Sequence, residues 1–148
     1  MTEIFTRADS TDLADAVRRL LRDLDRTHGP GASLGECRPP LDVYETGDDI
    51  EVALDLPGLS PDDVRVVVRE NAVIIVGEKA ASPCAAKEAR FHLAERTFGR
   101  FARAVRLLTP VDAARARAEL QGGRLRVIVP RIEDRRGRDI PVTVTRVS

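Results

Sequence analysis

The chain has no tryptophan and one tyrosine, and aromatics make up only 3% of its 148 residues. That leaves too few rings for a platform on which bases or sugars stack. Cysteine is equally scarce: Cys37 and Cys84 lie far apart, without CxxC spacing and without a histidine near them in sequence. Neither a metal site nor a disulfide framework is expected from them, and a reducing, cytoplasmic setting fits. The longest apolar run is "AVIIV" (72–76), far short of a membrane span, and the N-terminus lacks a signal-peptide pattern. Signatures of catalysis are missing too, with no GxSxG, no Walker loop and no HExxH. His28 falls in a Gly/Pro-rich stretch and His92 in a strand-like one, neither beside a nucleophile pattern. The expectation is a protein that is not an enzyme and takes no cofactor or metal.

What is present is an ordinary globular composition, 43% hydrophobic and 32% charged, enough for one domain with extensions. The net charge is zero but unevenly spread. Residues 41–78 hold 2 basic and 10 acidic residues, while 79–148 hold 16 basic and 7 acidic. Complementary faces within or between subunits explain this better than a nucleic-acid partner. All but two of the 24 basic residues are arginine, the exceptions being Lys79 and Lys87.

Residues 10–27 read as a helix: Ser10 or Thr11 offers a cap, and Asp12 and Asp15 favour the first turn. Leu13, Val17, Leu20, Leu21 and Leu24 recur at helical spacing as one apolar stripe. A lone helix of this length is marginal in water, so the stripe needs a partner: its own domain, another subunit or a client. The linker "HGPGASLGECRPP" (28–40) ends it.

From Leu41 the period changes to two. "DIEVALDLPG", "VRVVVRE" and "FARAVRLL" alternate, and "AVIIVGE" is apolar on both faces, hence central. "ARAEL" and "RLRVIVP" flank Gln121-Gly122-Gly123, a hairpin signal. Some seven short strands with no helices between them predict an all-β, immunoglobulin-like antiparallel sandwich over 41–130. Residues 1–40 form an N-terminal arm and 131–148 a C-terminal extension. That extension holds a charged run, "RIEDRRGRD", and then Ile140-Pro141-Val142. Two branched apolar residues on a solvated tail imply something that binds them.

These stretches together resemble the alpha-crystallin domain of small heat-shock proteins of the bacterial and plant type. Leu56-Pro57-Gly58 matches the strand-ending LPG. Glu95, Arg96, Gly99, Phe101 and Arg103 match the segment that opens the long strand. Ala118, Leu120, Gly123 and Leu125 match the hairpin, and Ile140-Pro141-Val142 the C-terminal Ile-X-Ile/Val triplet. Two departures stand out: Gly122 replaces the usual Asn of the turn, and Arg124 replaces a valine.

The resemblance implies an ATP-independent holdase that keeps partly unfolded proteins from aggregating under heat or other stress, with ATP-dependent chaperones acting downstream. It implies homo-oligomers built from dimers, with no nucleic-acid or membrane partner. The dimer would form by strand exchange through Arg90, Phe91, His92, Leu93, Ala94, Glu95 and Arg96, with Arg103 nearby. Ile140, Pro141 and Val142 would anchor in a groove formed by Val64, Val66, Val68, Ala118 and Leu120 of another subunit. Phe5, Leu13, Val17, Leu20, Leu21 and Leu24, the least folded apolar residues, are assigned to clients. The competing class is a monomeric adaptor: co-chaperone domains of the CS type share the architecture but lack the C-terminal triplet.

Overall fold

Gly122 and Gly123 take φ values of +59° and +76°, which glycine adopts without the steric cost of a Cβ. This turn joins the last two strands and sets Leu120 opposite Leu125. The computed structural model describes residues 7–29, 37–80, 89–132 and 139–147, with backbone alone for 7–11. Helix α1 (Arg7–His28) is followed by β1 (Leu41–Thr46), β2 (Asp49–Asp55), β3 (Val64–Arg69), β4 (Ala72–Lys79), β5 (Gly99–Arg106), β6 (Arg117–Gln121) and β7 (Arg124–Pro130). Short 3-10 turns at Pro61–Asp63 and Ala113–Arg115 precede β3 and β6.

The strands form two antiparallel sheets, ordered β1-β2-β7-β6 and β3-β4-β5. The alternation seen in the sequence places Ile50, Val52, Leu54, Val73, Ile75, Phe101, Val105, Leu125, Val127 and Val129 in one core between them. β4 is central in its sheet, as its apolar run predicts, and Ala72 to Gly77 are all buried.

A strand buried on both faces needs a second cover, and α1 supplies it. Leu13 and Ala16 pack with Ala72 and Ile74 on the outer face of the three-stranded sheet, with Val17, Leu20 and Ala104 around them. Leu24 is 0% exposed. The stripe's partner is therefore the chain's own domain, each fully buried leucine contributing roughly 1.5–3 kcal/mol gross. The helix begins earlier than predicted, so Ser10 and Thr11 lie inside it and not at its cap.

Polar contacts fasten the far end of α1. Arg100, on β5 and only 6% exposed, donates to Asp25, to Glu78 (3.3 Å) and to the Gly29 carbonyl (2.8 Å). Burial works against its charge, and the bonds to Asp25 and Glu78 outweigh it, leaving the guanidinium harder to deprotonate than usual. Arg65 donates to Asp23 (3.0 Å) and Thr27 (2.8 Å). His28 lies 2.7 Å from Asp63. Burial alone would raise the Asp63 pKa, but the Ser60 amide and the His28 ring bring it below its ordinary value.

Phe101 fills the core where β4 carries no side chain. A Cβ on Gly77 would run into the Phe101 ring and lie 2.9 Å from the Asp63 carbonyl oxygen. Gly77→Ala should therefore cost on the order of 1–3 kcal/mol through overpacking, read as a lower urea midpoint by circular dichroism. A midpoint equal to wild type would show that the ring has room to move.

Candidate functional site

Among the described residues, four strands present an unpaired edge: β1 and β6 in one sheet, β3 and β5 in the other. Edges of this kind expose main-chain donors and acceptors to any extended segment that fits.

β3 and β6 flank a cleft of 210 Å³ lined by Val66, Val68, Ala113, Ala116, Arg117, Ala118 and Val127. Three of the predicted groove residues, Val66, Val68 and Ala118, are brought together there. Val64 is turned into the core, and Leu120 packs partly against it. Neither lines the cleft, whose open part is displaced toward the turn before β6. Ala113 and Ala116 in that turn were not foreseen. Small residues outside a periodic segment carry no pattern to flag them.

The tail holds Ile140 (56% exposed), Val142 (82%) and Val144 (94%) outside any helix or strand. The tether predicted before it lies largely at 133–138, outside the described residues. The segment Arg90–Thr97 forms no strand in the single chain and is exposed throughout, with Phe91 and Leu93 60% and 75% exposed. Arg103 lies on β5 and donates to the Pro39 carbonyl at 2.6 Å, tying the start of the domain to that strand.

The residues assigned to clients are not equally available. Leu13 and Leu24 are buried under α1, while Val17, Leu20 and Leu21 are half-buried. Client contact through them requires the helix to leave the sheet. Phe5 lies outside the described residues, as does Cys84. Of the two histidines, His28 serves the helix contact and His92 is exposed.

Edge strand β1 is held by a rung on the outer face of the four-stranded sheet. The Gly47 turn (φ +57°) sets Tyr44 opposite Glu51. The Tyr44 hydroxyl donates to Glu51, and Arg126 donates to the same carboxylate at 2.6 Å. Glu51 is buried, and the Arg126 bond, then the Tyr44 bond, hold its pKa below 4.5. The turn at Thr46–Asp49 and the alternation of both strands carry this rung in the sequence.

Comparison with known proteins places this arrangement. A sequence model described as the Hsp20/alpha crystallin family matches residues 42–143. Heat shock protein 16 of Schizosaccharomyces pombe is 33% identical over 67% of this chain and 70% of its own length. The 18 kDa heat shock protein of Streptomyces albus is 28% identical over 84% of each. The chain spans only 42% of a rice 26.7 kDa chloroplastic heat shock protein that it matches. Among solved structures, heat shock protein 16.0 from Schizosaccharomyces pombe superposes with a TM-score of 0.62 at 28% identity, over 76% of this chain and all of that one. A small heat-shock protein from Xylella fastidiosa gives 0.61 at 26%, over 74% of this chain and all of that one.

The lowered Glu51 pKa has a defined sign. Its contribution to stability is complete above the unfolded value of 4.5 and is lost as pH falls through the lower folded value. Urea midpoints measured from about pH 7 down to about pH 3 should fall more steeply below pH 4.5 for wild type than for Glu51→Gln. Parallel curves would show that this carboxylate does not titrate with folding.

Proposed function

The chain belongs to the Hsp20/alpha crystallin family of chaperones, and from that premise we propose that it is an ATP-independent holdase. It binds partly unfolded proteins, keeps them from aggregating and leaves refolding to ATP-dependent chaperones. The observation that carries this reading is the pairing of open sheet edges with exposed alternating apolar segments in one chain. Such surfaces compete with client–client contacts without demanding a sequence. No part of the proposal needs catalysis, a cofactor, nucleic acid or a membrane; among the described residues no helix is long and apolar enough to cross one. The proposed location is the cytoplasm.

The building block in this reading is a dimer. Arg90–Arg96 crosses to a partner subunit and pairs with an open edge there, burying Phe91 and Leu93. Support comes from their exposure and from the absence of any pairing to the chain's own sheets. The dimers are joined by Ile140, Pro141 and Val142 seated between β3 and β6 of another subunit. Clients contact Phe5 and the α1 stripe once the helix lifts. Release uncovers both the stripe and the sheet face bearing Ala72, Ile74 and Ala104.

Two experiments test this. Without ATP, the folded protein should suppress the turbidity of a heat-unfolded client near stoichiometric ratios. Unchanged turbidity in excess protein, with the sample a monomer by light scattering, would favour the adaptor class instead. For the dimer, Phe91→Pro with Leu93→Pro removes a ladder donor and fixes φ at each position. Sedimentation should then show monomers at micromolar concentration, and a persistent dimer would place the pairing elsewhere.

A further inference from the structure

The alternation in the tail does not stop at Val142. Ile140, Val142 and Val144 stand two residues apart, with Pro141, Thr143 and Thr145 between and beyond them. In extended chain all three side chains fall on one side, spanning about 13 Å from first to last. Exposure rises along them, from 56% to 82% to 94%, so Val144 has the least cover of the three in the single chain. The facing edges have the same period. β3 lines the cleft with Val66 and Val68 and β6 with Ala118, and half-buried Leu120 follows at the next position along β6.

Side-chain size sets the direction. Asp139 precedes the first anchor and Arg146 follows the last. At the open end of the cleft lies Arg117, with exposed Arg115 in the adjoining turn. At the other end β3 starts just after exposed Asp62, near the β6–β7 turn, where the Leu56 amide donates to the Gly123 carbonyl at 2.6 Å. Each end carries both signs, since Arg65 adjoins Asp62 and Asp112 adjoins Arg115, so charge alone allows either orientation. Running antiparallel to β3 gives the open part of the cleft to Ile140, the largest of the three side chains, and brings Arg146 toward Asp62.

Resting on the tail-in-groove reading above, we infer that the tail of a second copy binds as a three-point anchor running antiparallel to β3. Ile140 and Val142 enter the 210 Å³ cleft. Val144 covers the exposed side of Leu120 at the next position along the edge, and Arg146 pairs with Asp62.

The test follows native mass against concentration for full-length variants and reads the concentration at which half of the assembly has dissociated. Val144 is nearly fully exposed, so Val144→Ser leaves the fold of the single chain alone. It should raise that concentration about tenfold. Arg146→Glu should raise it about threefold at low salt, and adding Asp62→Arg should restore it toward wild type. Ile140→Ala with Val142→Ala separates the two levels of the reading. If this pair dissociates the assembly while Val144→Ser matches wild type, the anchor has two points and the inference falls alone. If this pair leaves the assembly at wild-type mass, the tail is not the link and the underlying reading falls with it. If Asp62→Arg fails to rescue Arg146→Glu, the direction is overturned.

Discussion

A sheet of three strands and a sheet of four cannot close on themselves, and this leaves four edges with no further strand beside them among the described residues. Everything outward from the core answers to that constraint. Edges are blunted in many proteins by charge, and charge is present here in quantity: Arg65 and Arg69 on β3, Arg117 and Glu119 on β6, Asp42 and Glu45 on β1. On β3 and β6, Arg65, Arg69 and Glu119 lie outside the cleft, whose lining is valine and alanine apart from Arg117 at one end. An incoming strand must therefore be apolar on one side only. A uniformly apolar segment would leave the charges unsolvated, and a polar one would leave the cleft empty.

The second constraint is the double burial of β4. Its outer face bears Ala72 and Ile74, small and flat enough for a helix to lie on. By lying there, α1 makes a three-layered unit and hides its own stripe. The contact combines an apolar patch with buried and half-buried ion pairs around Arg100 and Arg65. The two parts respond differently to conditions. The apolar part weakens on cooling, whereas the more exposed pairs are screened by salt. Because helix and sheet belong to one chain, a client competes with a contact formed at high effective concentration. A stripe covered in this way binds strangers only when its own partner lets go.

How much of this was legible follows from what period can and cannot report. The strands, the Gly122-Gly123 hairpin and the centrality of β4 were legible because alternation and turn chemistry are local. The helix was legible as an amphipathic rod, but a stripe states that a partner exists and not which one. The sheet face that meets it reads simply as a strand apolar on both sides. Arg100 was invisible: an arginine in an alternating strand reads as a solvated face, and its partners Asp25, Glu78 and Gly29 are up to 75 residues away. The groove was half legible. Val66, Val68 and Ala118 were placed by the family resemblance, while Ala113 in the 3-10 turn and Ala116 at its end have no period to expose them.

The position of Pro141 says how such a tail can bind an edge at all. In extended chain successive residues turn their N–H and C=O groups to opposite sides. Residues 140, 142 and 144 thus serve one edge of the groove, and Pro141, Thr143 and Thr145 serve the other. Proline lacks an N–H, so the second edge loses a donor just where the first anchor enters. In the proposed binding mode the tail would add as a strand to one edge and lean on the other through side chains. In exchange, the fixed φ of Pro141 holds the segment near its bound shape before binding and lowers the ordering cost. Burying Ile140 and Val142 in this mode would bring roughly 3–6 kcal/mol gross, and a single tail that must also order its backbone would net about a millimolar affinity. Links that weak hold only when many act at once, and each opens readily when it acts alone. An assembly joined in this way is cohesive as a whole while its subunits remain exchangeable.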